Sequence, residues 1–96
     1  MPLIGAKVRL DGVVQGVGFR YWCLKIARQY HVTGYVANLP DGSVEVVVEA
    51  DKGIVNDFID ILKVGPTYAH ITDIKIDWYT ESQGFNAFTI EYKGAL

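Results

Sequence analysis

Arg20 stands at an electrostatically odd place in this chain. It closes the run Gly12-Val13-Val14-Gln15-Gly16-Val17-Gly18-Phe19-Arg20, in which a strand-like pattern gives way to a helical one. A helix N-terminus already carries about half a positive elementary charge, and its first N–H groups lack partners. A cation there costs about 0.3–1 kcal/mol unless an anion arrives. Gly16 and Gly18 can turn successive N–H groups toward one point, because glycine accepts positive φ and lets a ligand approach closely. Convergent amides, a helix N-terminus and a guanidinium together describe a small oxyanion site, and phosphate is the natural occupant.

Other glycine-rich loops fit less well. A Walker A loop needs Gly-Lys-Ser/Thr, which is absent. The dinucleotide fingerprint needs a third glycine where Phe19 and Arg20 stand. A tight strand-to-helix turn with a solvated arginine would use the same residues.

The remaining reactive side chains offer little chemistry. Cys23 sits at helical spacing among apolar residues and reads as a buried structural thiol. His31 and His70 are far apart in sequence, with no ligand-spaced cluster around either, so no metal site is expected. Ser43 and Ser82 lack a His-Asp setting. Glu45 and Glu49 could suggest acid–base work, but they alternate with valines and read as a solvated strand face.

The elements that must position Arg20 follow from periodicity. Ala6 to Val13 alternates Val8 and Leu10 against Lys7, Arg9 and Asp11, a half-buried strand. From Phe19 to Tyr30, apolar residues at Phe19, Trp22, Cys23, Ile26, Ala27 and Tyr30 fall on one helix face. Thr33 to Asn38 reads as a second strand. Leu39-Pro40-Asp41-Gly42 is a turn, type I with a bulge at Gly42, leading into a hairpin partner from Ser43 to Glu49. Asp51 can cap a second helix with Ile54, Val55, Phe58, Ile59 and Leu62 inward, stopped by Gly65-Pro66. Ala69 to Tyr79 is a long strand, 81–86 a loop, and Ala87 to Tyr92 a last strand with Phe88, Ile90 and Tyr92 inward.

The order β-α-β-β-α-β, with a fifth short strand, has right-handed crossovers. It predicts an α+β fold: a ferredoxin-like split β-α-β sandwich, a mostly antiparallel four- to five-stranded sheet with two helices on one face.

With 96 residues, residues 1–96 are expected to form a single domain with one modest core. The net charge is −2, which argues against nucleic acid as a partner and leaves phosphate attraction to a local charge at Arg20. One cysteine excludes an internal disulfide and suits a reducing cytoplasm. Met1 to Gly5 lacks a signal-peptide pattern, and no apolar run approaches the ~18 residues of a membrane span. A monomer in the cytoplasm, off the membrane, is expected.

The run Val13 to Arg20 resembles the signature of the acylphosphatase family. A second signature, Gly34-Tyr35-Val36-Ala37-Asn38-Leu39-Pro40-Asp41-Gly42-Ser43-Val44-Glu45-Val46, follows at that family's spacing, and Phe88-Thr89-Ile90-Glu91-Tyr92 is similar to its last strand. The resemblance covers nearly the whole chain. It implies the same fold, and it implies hydrolysis of acyl phosphates without metal or cofactor. By the resemblance, Arg20 is the phosphate-binding arginine and Asn38 the asparagine that holds the attacking water. The backbone N–H groups of Gln15, Gly16, Val17, Gly18, Phe19 and Arg20 are the phosphate cradle, which would also take phosphate or sulfate as product-like ligands.

Those residue types suit the reaction. An acyl phosphate already has a good leaving group, so it needs its charge held and a water placed in line. Arg20 can donate two parallel hydrogen bonds to phosphate oxygens, and Asn38 can orient a water without deprotonating it. Ala50 and the pair Thr67-Tyr68 depart from the family pattern, outside the site. Two other readings share the topology: a domain that holds phosphate for a larger enzyme, and a single-stranded RNA reader. The second needs exposed aromatics and a basic sheet, where Ser43 to Glu49 supplies valines and glutamates.

Overall fold

The computed structural model describes residues 3–92; Met1 and Pro2, part of the signal-peptide reading, lie outside the described residues. Seven elements follow in order: β1 (Leu3–Val13), α1 (Phe19–Tyr30), β2 (Thr33–Asn38), β3 (Val44–Asp51), α2 (Lys52–Val64), β4 (His70–Tyr79) and β5 (Phe88–Glu91). They form one five-stranded sheet in the order β4-β1-β3-β2-β5. The first three contacts in that order are antiparallel, and β5 runs parallel to β2 at one edge. Both helices pack against the sheet and against each other, as the sequence pattern predicts.

Alternation decides which sheet face they cover. Ala6, Val8 and Leu10 of β1 and Val44, Val46 and Val48 of β3 are fully buried. Against them lie Phe19, Cys23 and Ala27 of α1 and Val55, Phe58 and Leu62 of α2. Full burial of each larger side chain contributes about 1.5–3 kcal/mol. Phe58 bridges the layers, meeting the Tyr30 ring edge-on at 6.5 Å and Phe88 at 6.0 Å. Burial pushes the Cys23 thiol far above its usual pKa, which leaves it inert as a nucleophile.

The local stops and starts match their chemistry. Asp51 caps α2, its carboxylate accepting from Ile54 N–H at 3.1 Å. Gly65 closes α2, its N–H bonding Ile61 O at 3.2 Å. The hairpin between β2 and β3 is pinned by Leu39 N–H to Ser43 O at 2.9 Å and Gly42 N–H to Leu39 O at 3.1 Å. Asp41 braces it, accepting from Ser43 Oγ at 2.6 Å and Ser43 N–H at 3.0 Å and pairing with Arg9. Those Ser43 hydrogen bonds, aided by Arg9, hold the Asp41 carboxyl below the usual carboxylate range.

Two expectations are corrected. Glu45 and Glu49 do not lie on a solvated face: they are 6% and 2% exposed. Glu49 accepts hydrogen bonds from Tyr79 OH at 2.7 Å, Ser82 Oγ at 3.0 Å and Gln83 N–H at 2.8 Å. Glu45 accepts from Tyr35 OH at 2.8 Å and pairs with Lys7 at 3.2 Å. The segment between β4 and β5 folds back over Glu49 on the helix-free face, while Tyr35 and Lys7 close on Glu45, tertiary facts that alternation does not encode. Gly5 makes room for it, because a Cβ there would sit 2.2 Å from the Tyr79 ring. Tyr92 is the second correction. It is 69% exposed rather than inward, because β5 ends at Glu91 and releases the next residue from the alternation.

Candidate active site

The sheet register assembles the site. β1 and β2 both run antiparallel to β3, so their C-terminal ends lie at the same end of the sheet. Leu10 and Asn38 flank the same residue of β3, Val44, from opposite sides. The loop that leaves β1 therefore starts close to the end of β2. It delivers α1 with its N-terminus over that end.

The loop's conformation follows from its glycines. Gly16 and Gly18 hold φ of 76° and 77°, in the left-handed region that other residues enter only at a cost of about 1–2 kcal/mol. Nothing lies within 4 Å of where a Cβ would stand at either position, so the backbone here faces open space. Gly18 is the N-cap of α1 and offers no side-chain cap, and no acidic residue stands in the first turn. The first-turn N–H groups are thus left facing outward with their partial positive charge uncompensated.

A hollow of about 170 Å³ opens at this point, lined by Val14, Gly16, Gly18, Phe19, Arg20, Tyr21 and Asn38. Arg20 and Asn38, far apart in sequence, thus share one cavity. Of the predicted cradle, Gly16, Gly18, Phe19 and Arg20 line it; Gln15 and Val17 belong to the same loop but do not. Among the described residues, no carboxylate pairs with Arg20. Its guanidinium instead lies over the Tyr92 ring, 5.6 Å from the centroid. Asn38 Oδ1 is buried, and no described residue donates a hydrogen bond to it. A buried amide oxygen without a donor costs about 1–3 kcal/mol. Larger hollows of about 300 and 350 Å³ lie on the helix-free face, around Lys7 and Asp77, and neither contains Arg20 or the glycine loop.

The comparisons agree with this geometry. The acylphosphatase family profile matches residues 6–90. An acylphosphatase of a Nostoc species is 43% identical over 89 residues, which span 93% of this chain and 87% of that protein. One from Thermotoga maritima is 40% identical over 86 residues, 90% of this chain and 94% of that protein. The crystal structure of an acylphosphatase from Bacillus subtilis superposes with a TM-score of 0.90 at 32% identity, covering 93% of this chain and 99% of that one.

The chain belongs to the acylphosphatase family. Members of this family are metal-independent hydrolases that split acyl phosphates. Around this hollow the acylphosphatase fold gathers the N-terminus of α1, glycine-loop backbone and one guanidinium, in a chain whose net charge is −2. The amides supply fixed dipoles, and the guanidinium supplies net charge.

Two residues that hold this acylphosphatase site together escape sequence reasoning. Gln15 was expected to contribute its backbone N–H. Its side-chain amide also ties the loop to the hairpin, donating to Leu39 O and to Ser43 O, both at 2.9 Å. Those two hydrogen bonds fix the glycine loop to the turn that directly follows Asn38. Tyr92 is the other. The β2–β5 register pairs Ala37 with Glu91, so the next residue on each strand, Asn38 and Tyr92, reaches the same level of the sheet. The only sequence sign of either was polarity or aromaticity beside a motif, which by itself names no partner.

Proposed function

We propose that Arg20 and the N–H groups of residues 15–20 bind the phosphoryl group of the acyl phosphate, and that Asn38 orients the attacking water. The observation that carries this reading is the sharing of one small hollow by an unpaired guanidinium and a buried, unpartnered amide oxygen. Arg20 donates to two phosphate oxygens in parallel, a geometry that a lysine ammonium does not reproduce. The Asn38 side-chain amide orients the water, which turns a lone pair toward phosphorus. A new P–O bond forms as the bond between phosphorus and the acyl oxygen breaks. The carboxylate leaves with that electron pair, and the proton from water passes to a phosphoryl oxygen, giving RCOO⁻ and H₂PO₄⁻ from RCOOPO₃²⁻ and water. The substrate's own phosphate thus serves as the base, which suits a site where the amide can position a proton but not remove it.

The protein acts as a cytoplasmic monomer on small acyl phosphates, and inorganic phosphate or sulfate occupies the same cradle as a product-like ligand. The absence, among the described residues, of a helix long and apolar enough to cross a membrane is compatible with this location. Turnover of benzoyl phosphate tests the reading. Arg20→Ala is expected to abolish turnover while melting at or slightly above the parent temperature, because it removes a cation from a helix N-terminus. Full activity in that variant would refute the assignment.

A further inference from the structure

We propose that Tyr21 is the surface against which the acyl half of the substrate lies, and that it biases the enzyme toward acyl phosphates whose carboxyl carries a flat, unsaturated group. This rests on the phosphoryl-binding reading of Arg20 and Asn38. Tyr21 is 67% exposed, on the first turn of α1, and yet it lines the hollow. The neighbouring positions have packing duties: Phe19 and Cys23 are core residues, and Trp22 meets the Phe19 ring edge-on at 5.3 Å. Tyr21 has none of these contacts. Most of this large aromatic side chain is left to the solvent, beside the hollow and outside the core.

The stereochemistry of the reaction directs the acyl group to this place. In-line displacement puts the entering water and the leaving oxygen on opposite sides of phosphorus. The water side is the Asn38 side, and Asn38 is half-buried at the end of β2. The leaving carboxylate therefore points away from Asn38, and among the residues lining the hollow the large exposed side chain is that of Tyr21. Size leads to the same place. A hollow of about 170 Å³ is well below the 300–1,000 Å³ that encloses a ligand of ordinary drug size. It accepts the phosphoryl group and the first acyl atoms, and the rest of the acyl group lies outside, on the rim. A planar group there stacks on the phenol ring, an arrangement worth about 2- to 10-fold in affinity. A methyl group is too small to cover the ring and gains little.

The test compares benzoyl phosphate with acetyl phosphate by full kcat and KM determination in the parent, Tyr21→Ala and Tyr21→Phe. The expected result is that Tyr21→Ala lowers the benzoyl-over-acetyl preference in kcat/KM by about 2- to 10-fold, carried by KM for benzoyl phosphate, and that Tyr21→Phe restores it, since the ring and not the hydroxyl makes the contact. Equal changes for both substrates, or a preference that stays put in Tyr21→Ala, would overturn the proposal. A change in kcat alone would also overturn it, since stacking on the leaving group's far end acts on binding. A parent protein that hydrolyses neither compound would instead sink the phosphoryl-binding reading beneath it. Far-UV circular dichroism and thermal melting of each variant keep a folding defect from being mistaken for a lost contact.

Discussion

At the scale of single residues, Arg20 occupies a place that helix electrostatics alone disfavours. A guanidinium at a helix N-terminus, without a carboxylate partner among the described residues, is held by the Tyr92 ring at 5.6 Å. The ring's face attracts a cation without neutralising it, which leaves the charge available to an anion. Lysine keeps that charge but loses the planar fork. Arg20→Lys is therefore expected to lose at least about 100-fold in kcat/KM for benzoyl phosphate, the low end of what one charge-stabilising donor contributes. Near-parental rates would mean that charge alone suffices. Asn38 separates the two jobs of the site. Asn38→Ala should lower kcat by about 10²–10³-fold, while the inhibition constant of inorganic phosphate stays within a few-fold, because the anion is held elsewhere. Weakened phosphate inhibition of the same size as the kcat loss would place Asn38 in the cradle instead.

Elements determine whether these residues meet. The glycine loop and the β2–β3 hairpin are joined by the Gln15 side chain, which spans 24 and 28 residues of sequence in its two hydrogen bonds. Both acceptor carbonyls already bond within the hairpin, so removing Gln15 orphans neither. Gln15→Met is expected to cost about 1–3 kcal/mol, two ordinary hydrogen bonds, visible as a fall in melting temperature. Its kcat/KM should fall further than that lost stability would lead one to expect, because the loop loses its registration to Asn38. A variant that melts lower but turns over normally would make the clamp purely structural. Gly18 tests the loop from within. The space around it is open, so Gly18→Ala meets no steric clash, and only its φ of 77° is strained. A stability loss of about 1–2 kcal/mol is expected, with weaker phosphate binding as the first-turn amides turn away from their common point. Isothermal titration with phosphate would show the second effect independently of turnover.

For the molecule as a whole, the two sheet faces hold different chemistry. The helix-covered face is an apolar core. The other buries two carboxylates, Glu45 beside Tyr35 and Lys7 and Glu49 under the segment between β4 and β5 with Tyr79 as its pin. Burial, reinforced by the hydrogen bond and charge of Glu49, pushes the Tyr79 phenol far above its usual value. The fold therefore favours the neutral hydroxyl. That contribution is fully present below the unfolded phenol pKa of about 10 and is lost as pH rises toward the folded value. Urea midpoints measured between about pH 8 and 11 should fall with rising pH in the parent protein. Tyr79→Phe should begin lower, lacking the hydrogen bond to Glu49, and decline less steeply, lacking the titrating group. Parallel curves for the two proteins would remove Tyr79 from the account.

The sequence by itself determined the elements and singled out Arg20 and the glycine loop. Period-two alternation in Val44-Val46-Val48 and helical spacing from Phe19 to Tyr30 depend on local backbone geometry, which repeats the same rule in any protein. Gly16, Gly18 and Arg20 were legible because their peculiarity is local too: positive φ and a misplaced cation within a few residues. Tertiary structure alone decided what depends on distant chain segments. It buried Glu49 beneath a segment some 30 residues away in sequence and Glu45 beside Tyr35 and Lys7, turned Tyr92 outward to carry Arg20, and used Gln15 as a clamp. The meeting of Arg20 with Asn38 required the registers of β1 and β2 against Val44. Register comes from the simultaneous pairing of whole strands and the packing of two helices upon them, a collective energy that no single residue's type records.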